Sequence, residues 1–141
     1  MVAARRNHLV ETIRPALARG DWVICDRFAD STMAYQGYGR GVAKEALRAL
    51  HKLIAGDFKP DVTLILDLPV NIGLSRVSGR PGNADRFERM GRDFHERLRQ
   101  GFLDIAKAEP ERCVVIDATA DIATVQQAVR AAVRARLGVA I

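Results

Sequence analysis

The stretch Asp26-Arg27-Phe28-Ala29-Asp30-Ser31-Thr32-Met33-Ala34-Tyr35-Gln36-Gly37-Tyr38-Gly39-Arg40-Gly41 decides how the rest of the chain is read. It follows a short apolar run, Trp22-Val23-Ile24-Cys25, that opens after Gly20-Asp21. Such a run predicts a buried strand over residues 22–26 whose carboxyl end delivers Asp26 and Arg27. In an open α/β sheet that edge is where ligands sit. The residues behind it mix hydroxyls, an amide, two tyrosines and three glycines with little aliphatic bulk, which predicts a loop wrapped around a polar ligand.

Upstream, Leu9, Val10, Ile13, Ala16 and Leu17 recur at helical spacing over residues 2–19, with Gly20 as a stop and Pro15 expected to kink or restart the helix. Downstream, residues 42–55 predict a helix with Ala46, Leu47, Leu50, Leu53 and Ile54 on one face. Val62 to Asp67 reads as a strand buried on both faces, and Pro69 suits the first turn of a short helix to about Val77. Residues 78–86, with two glycines and a proline, read as a mobile segment. A long helix carries Phe87, Met90, Phe94, Leu98, Phe102 and Ile105, a stripe better suited to a core than to a ligand. Cys113 to Asp117 is a third strand, and Thr119 or Asp121 caps a last helix whose buried stripe is Ile122, Val125, Val129, Val133 and Leu137. Three strands alternating with helices predict a parallel α/β sheet with right-handed crossovers, in a single domain over residues 1–141.

The bulk composition narrows the function. With 48% hydrophobic and 28% charged residues, the chain has the balance of a globular protein large enough to bury a core. No run of eighteen apolar residues occurs, which argues against a membrane span. No charged-then-apolar leader opens the sequence, so the cytoplasm is the expected compartment. Cys25 and Cys113 lie in apolar runs and are expected to be reduced, buried thiols. A net charge of +5 favours anionic partners, and small phosphates satisfy it as well as nucleic acid does. The arginines are scattered with little aromatic interleaving, so nucleic acid is not expected as a partner.

Asp26 and Arg27 form the sharpest pair. A guanidinium at a strand end can grip a phosphate with two parallel bonds, while the neighbouring carboxylate can hold a hydrated divalent cation. The plainer alternative is that the two neutralise each other or nearby loops. Thr32 offers a donor and an acceptor to a base edge, Tyr35 presents a flat wall able to exclude a ribose 2′-hydroxyl, and Gly37, Gly39 and Gly41 allow a tight backbone path. Arg76, Arg80 and Arg86 flank or lie within the Gly/Pro-rich segment, where they could close over a polyphosphate or simply face solvent. Arg5 and Arg6 stand at an apparent helix start, where cations oppose the dipole, so either an anionic group compensates them or the helix starts elsewhere. His8, His51 and His95 lack the spacing of a helical metal site, and no nucleophile–histidine arrangement is legible.

These residues resemble the thymidylate kinase family, whose members transfer phosphate from ATP to dTMP. The resemblance rests on Asp26-Arg27-Phe28, Ser31-Thr32 and Ala34 through Gly41, preceded by Ile13-Arg14-Pro15-Ala16-Leu17 and followed by Asp85-Arg86-Phe87-Glu88. It implies a fold of the P-loop nucleoside monophosphate kinase type, ATP and Mg2+ as cofactors, dTMP as acceptor and a homodimer. By position it implies catalytic roles for Arg27, Asp26, Arg80 and Arg86, with Asp26 organising the metal. It implies dTMP contacts for Arg5, Arg27, Thr32, Tyr35 and Gln36, and ATP contacts for Arg76, Arg80 and Arg86 on a flap. The family also begins with a strand and a glycine-rich loop ending in Lys-Ser/Thr, and no G-x-x-x-x-G-K-[ST] occurs in this sequence. Met1 stands where the family has a phenylalanine stacked on thymine. The chain is therefore expected to be the carboxy-terminal two-thirds of such a kinase, with two strand edges left unpaired and little turnover by itself. The alternative is a non-catalytic nucleotide-binding module that associates with an intact kinase.

Overall fold

The computed structural model describes residues 2–78 and 90–140. Helix α1 spans residues 2–18 in three pieces, an α-helix Val2–His8, a π turn Leu9–Ile13 and an α-helix Arg14–Ala18. The π turn is how the helix passes Pro15. The Arg14 N–H bonds back to the Leu9 carbonyl, five residues away, just ahead of the one residue that has no N–H to give. The α-helical register restarts at Arg14, with Pro15 in the first turn of the new segment where its missing N–H costs least. Arg5 and Arg6 are the fourth and fifth residues of the helical segment Val2–His8, close to its start.

Residues 22–26 do not form a strand. A strand exists through its ladder, and none of the described residues pairs with this run, so Trp22 is 64% and Ile24 99% exposed. The following stretch is not a loop either. Ala29–Thr32 forms one α-helical turn and Met33–Gly39 continues it as a π-helix, together α2. Glycine here serves close packing. A Cβ at Gly39 would stand 2.6 Å from the Phe94 ring, and one at Gly101 would stand 2.6 Å from Tyr38, so the two glycines let α2 sink against helix α5, Gly91–Ala108. Arg97 of α5 closes the contact by donating to the Gly39 carbonyl at 3.2 Å.

Helix α3, Lys44–Ala55, buries Leu47, Ile54 and Ala55. The expected face is narrower than its spacing suggested, since Leu53 is 82% exposed and Ala46 is exposed. Strand β1, Thr63–Asp67, pairs in parallel with β2, Cys113–Asp117, with Thr63 opposite Cys113 and Asp67 opposite Asp117. Among the described residues the sheet has these two strands, not three, and it is not covered at every position: Leu66 is 57% and Val115 44% exposed. Helix α4, Val70–Ser78, follows Pro69, whose carbonyl accepts from Ile72 and Gly73. Helix α6, Ile122–Leu137, is capped by Asp121, which accepts from the Thr124 N–H at 2.9 Å, and not by Thr119. Its stripe is half-buried at Val125, Val129, Val133 and Leu137 and open at Ile122.

Two apolar clusters result. One joins Ala34, Ile65, Phe94, Leu98, Ile105, Ala106 and Cys113, and the other joins Leu9, Ile13, Phe28 and Ala55. Helix α2 belongs to both, since Ala29 packs on the second cluster and Ala34 lies in the first. Both thiols are free, but only Cys113 is fully buried, and burial raises its pKa. Cys25 is half-buried, packed with Val23 on the second cluster, while Trp22 and Ile24 beside it are open.

Candidate acceptor site

The site is built on the entry to α2. Arg27 sits in the left-handed backbone region at φ +68°, a conformation that residues with a side chain adopt at a cost of ~1–2 kcal/mol. That turn redirects the chain from residues 22–25 into the helix. It leaves Asp26 and Arg27 both exposed, and no salt bridge joins them. The Arg27 guanidinium lies 5.2 Å above the Tyr35 ring, a cation–π contact that orients the cation without consuming its donors. Tyr35 is itself held from behind, packed on the first apolar cluster and set edge-on to Phe94 at 6.2 Å.

A second arginine meets α2 one turn earlier. Arg5 donates to the Thr32 hydroxyl at 2.6 Å and to the Phe28 carbonyl at 3.2 Å, with its guanidinium 5.6 Å over the Phe28 ring. Partial burial lowers its pKa, although the group stays a cation. The Phe28 carbonyl and the Thr32 hydroxyl are the direct partners of this cation, with the Asp30 carboxylate adding favourable charge nearby. Arg6 is treated likewise, donating at 2.8 Å to the Ile54 carbonyl in the last turn of α3, the negative end of that helix. The π register turns Tyr35 away from Thr32: Thr32 faces Arg5, while Tyr35 packs on the first cluster and Phe94. Gln36 is half-buried, and its carbonyl accepts from the Val42 N–H at 2.9 Å.

The structure thus gathers Arg27 with Tyr35 and Arg5 with Thr32 on a single helix. A cavity of about 350 Å³ opens beside Arg5 and Thr32, between α2, α3 and the end of α5. Arg27, Tyr35 and Gln36 do not line it. Arg76 docks on the turn after β2, donating to the Ala118 and Thr119 carbonyls at 3.0 and 3.3 Å. Arg80, Arg86 and most of the segment 78–86 lie outside the described residues, as does Met1.

Two ionic features escaped the sequence reading. Arg112, directly before β2, donates to both oxygens of Asp30 at 2.7 and 2.8 Å, to the Thr63 hydroxyl and to Glu109. Glu109 also accepts from Lys59 at 2.7 Å, and its pKa falls to about 2, chiefly through the Arg112 bond. Arg99 grips Asp67 with two bonds of 2.7 and 2.8 Å at the carboxyl end of β1, which lowers the Asp67 pKa. The only sequence signals were an Asp inside the hydroxyl-rich stretch and an Arg at a strand start. Their separation of 82 residues hides the pairing.

Metal chemistry is compatible with these residues. The described residues contain no cluster of three or more side chains suited to a metal ion. Mg2+ needs none, since one or two carboxylates with phosphate oxygens and water hold it in nucleotide enzymes. Asp26, exposed beside Arg27, is a carboxylate of that kind.

Comparison with known proteins agrees on the class. The crystal structure of thymidylate kinase from Ehrlichia chaffeensis matches with a TM-score of 0.72 and 38% identity over 94% of this chain and 60% of that one. The fold is therefore the parallel-sheet α/β fold, with flanking helices, of the nucleoside monophosphate kinases. The family model for thymidylate kinase matches residues 1–129. Thymidylate kinases from Pseudomonas syringae pv. tomato and Caulobacter vibrioides are 55% and 54% identical over 88% and 98% of this chain, covering 59% and 66% of theirs. The chain belongs to the thymidylate kinase family. It spans about three-fifths of the length of the relatives it matches.

Proposed function

We propose that the polypeptide carrying these residues phosphorylates dTMP with ATP and Mg2+, yielding dTDP and ADP. The observation that carries the reading is the Arg27 guanidinium poised over Tyr35, one helical turn from the Arg5–Thr32 pair. On this reading the monophosphate meets Arg27, the base edge meets Thr32 and Arg5, and Tyr35 and Gln36 border the deoxyribose. An acceptor phosphate oxygen attacks the γ-phosphorus of ATP in line, forming the new P–O bond as the bond to the ADP oxygen breaks, with no covalent enzyme intermediate. Mg2+, held through Asp26 and the phosphates, supplies charge neutralisation when bound. Arg27 supplies the same at the transferring group, joined by Arg80 and Arg86, while Arg76 lends charge from its seat on residues 118–119.

Residues 1–141 act as one α/β domain, in a homodimeric cytoplasmic enzyme. No helix among the described residues is long and apolar enough to cross a membrane.

The test is ADP release on adding dTMP and ATP to the purified protein, paired with calorimetric titration of dTMP. Turnover supports the reading. Binding without turnover favours a nucleotide-binding module instead, and absence of both rejects it.

A further inference from the structure

The first turn of α2 has no local reason to hold its shape. The turn is the end of a helix too short to offset nucleation by itself, the cap residue Phe28 makes no side-chain capping bond, and the turn follows the left-handed Arg27. What fixes it comes from far along the chain. Arg112 uses all five of its guanidinium donors: two on Asp30, two on Glu109 and one on the Thr63 hydroxyl. Its side chain is 12% exposed and that of Asp30 is 16% exposed. One end of this fork is therefore anchored to the start of β1 and the end of α5, and the other holds the turn that carries Thr32. Thr32, two residues beyond Asp30, is the acceptor of the Arg5 bond.

We propose that Arg112 is a positioning residue for the nucleotide base, setting the Thr32 hydroxyl and the Arg5 guanidinium through Asp30. The inference rests on the acceptor-site reading above. Lysine cannot replace Arg112, because a point ammonium has three donors and no planar fork, whereas five acceptors converge here. The effect is specific to the base end of the acceptor, since none of these bonds reaches Arg27 or the residues assigned to ATP.

The experiment measures steady-state kinetics and dTMP titrations on the complete polypeptide and its Arg112→Lys and Asp30→Asn variants. Arg112→Lys should raise KM and Kd for dTMP about ten- to a hundredfold, the range for removal of one charge-assisted hydrogen bond, with KM for ATP nearly unchanged. Asp30→Asn keeps the shape, weakens the fork and should give a smaller rise of the same kind, which secures the test if Arg112→Lys folds poorly. Combined with Thr32→Val, Arg112→Lys should add little, because both act on the same hydroxyl. A lower melting temperature with dTMP affinity unchanged, or full additivity with Thr32→Val, overturns the proposal. Wild-type protein that neither binds nor turns over dTMP would instead defeat the acceptor-site reading itself.

Discussion

Arg27 combines a strained backbone with an exposed, oriented cation. Arg27→Gly removes the left-handed penalty along with the side chain. It should leave the melting temperature unchanged or raise it, within about 1 kcal/mol of stability, even though the cation–π interaction with Tyr35 disappears as well. The same variant in an active polypeptide should lower kcat roughly two to four orders of magnitude, as removing a charge that stabilises the transition state does. Thermal melts and turnover on one preparation check both, and a variant that unfolds would show that the turn depends on the arginine. Gly39 makes the opposite case. Gly39→Ala places a methyl 2.6 Å from Phe94, in a ring packed on the core, and should cost ~1–3 kcal/mol in denaturant unfolding. Arg27 stands out in the sequence because a cation beside a carboxylate after an apolar run is unusual. Gly39 was misread as freedom for a turn, because only the packed partner shows that the missing Cβ makes room.

Between elements, the Arg112 fork joins α2, β1 and the end of α5. Its carboxylate Glu109 is held near pKa 2 in the folded protein against an ordinary value of 4.5. A depressed carboxylate contributes stability that is complete above about pH 4.5 and is lost as pH falls toward 2. Melting temperature should therefore decline over that window, and Glu109→Gln should flatten the decline while lowering stability at neutral pH. An unchanged acid profile in Glu109→Gln would deny the bond its role. At α6, Asp121→Ala removes the cap to Thr124 and should cost ~1 kcal/mol by thermal unfolding. The helices were readable at this scale from their apolar spacing, and β1 and β2 from their branched runs. The π segments in α1 and α2 were not, because register shifts depend on neighbours: a proline in one case, a close-packed helix in the other.

Across the whole molecule, large apolar side chains are open both in the run before α2 and in the sheet. Trp22, the sole tryptophan, is 64% exposed, with Ile24, Leu66 and Val115 also open. Its fluorescence in the 141-residue chain should be quenched by acrylamide nearly as fully as in a short peptide. Protection from quenching would mean that another surface covers residues 22–24, such as a second copy of the chain, and sedimentation would report that copy directly.

Five of the six helices among the described residues, strands β1 and β2 with their parallel pairing, and the family were determined by the linear chain, because periodicity and a long specific motif are local properties. Whether Trp22 to Asp26 becomes a strand was not, since a strand requires a partner that its own residues do not name. Nor could the chain in one dimension bring Arg112 to Asp30 or Arg5 to Thr32. Those pairs follow from how α1, α2 and the turn before β2 pack together, and only the folded protein decides where that happens.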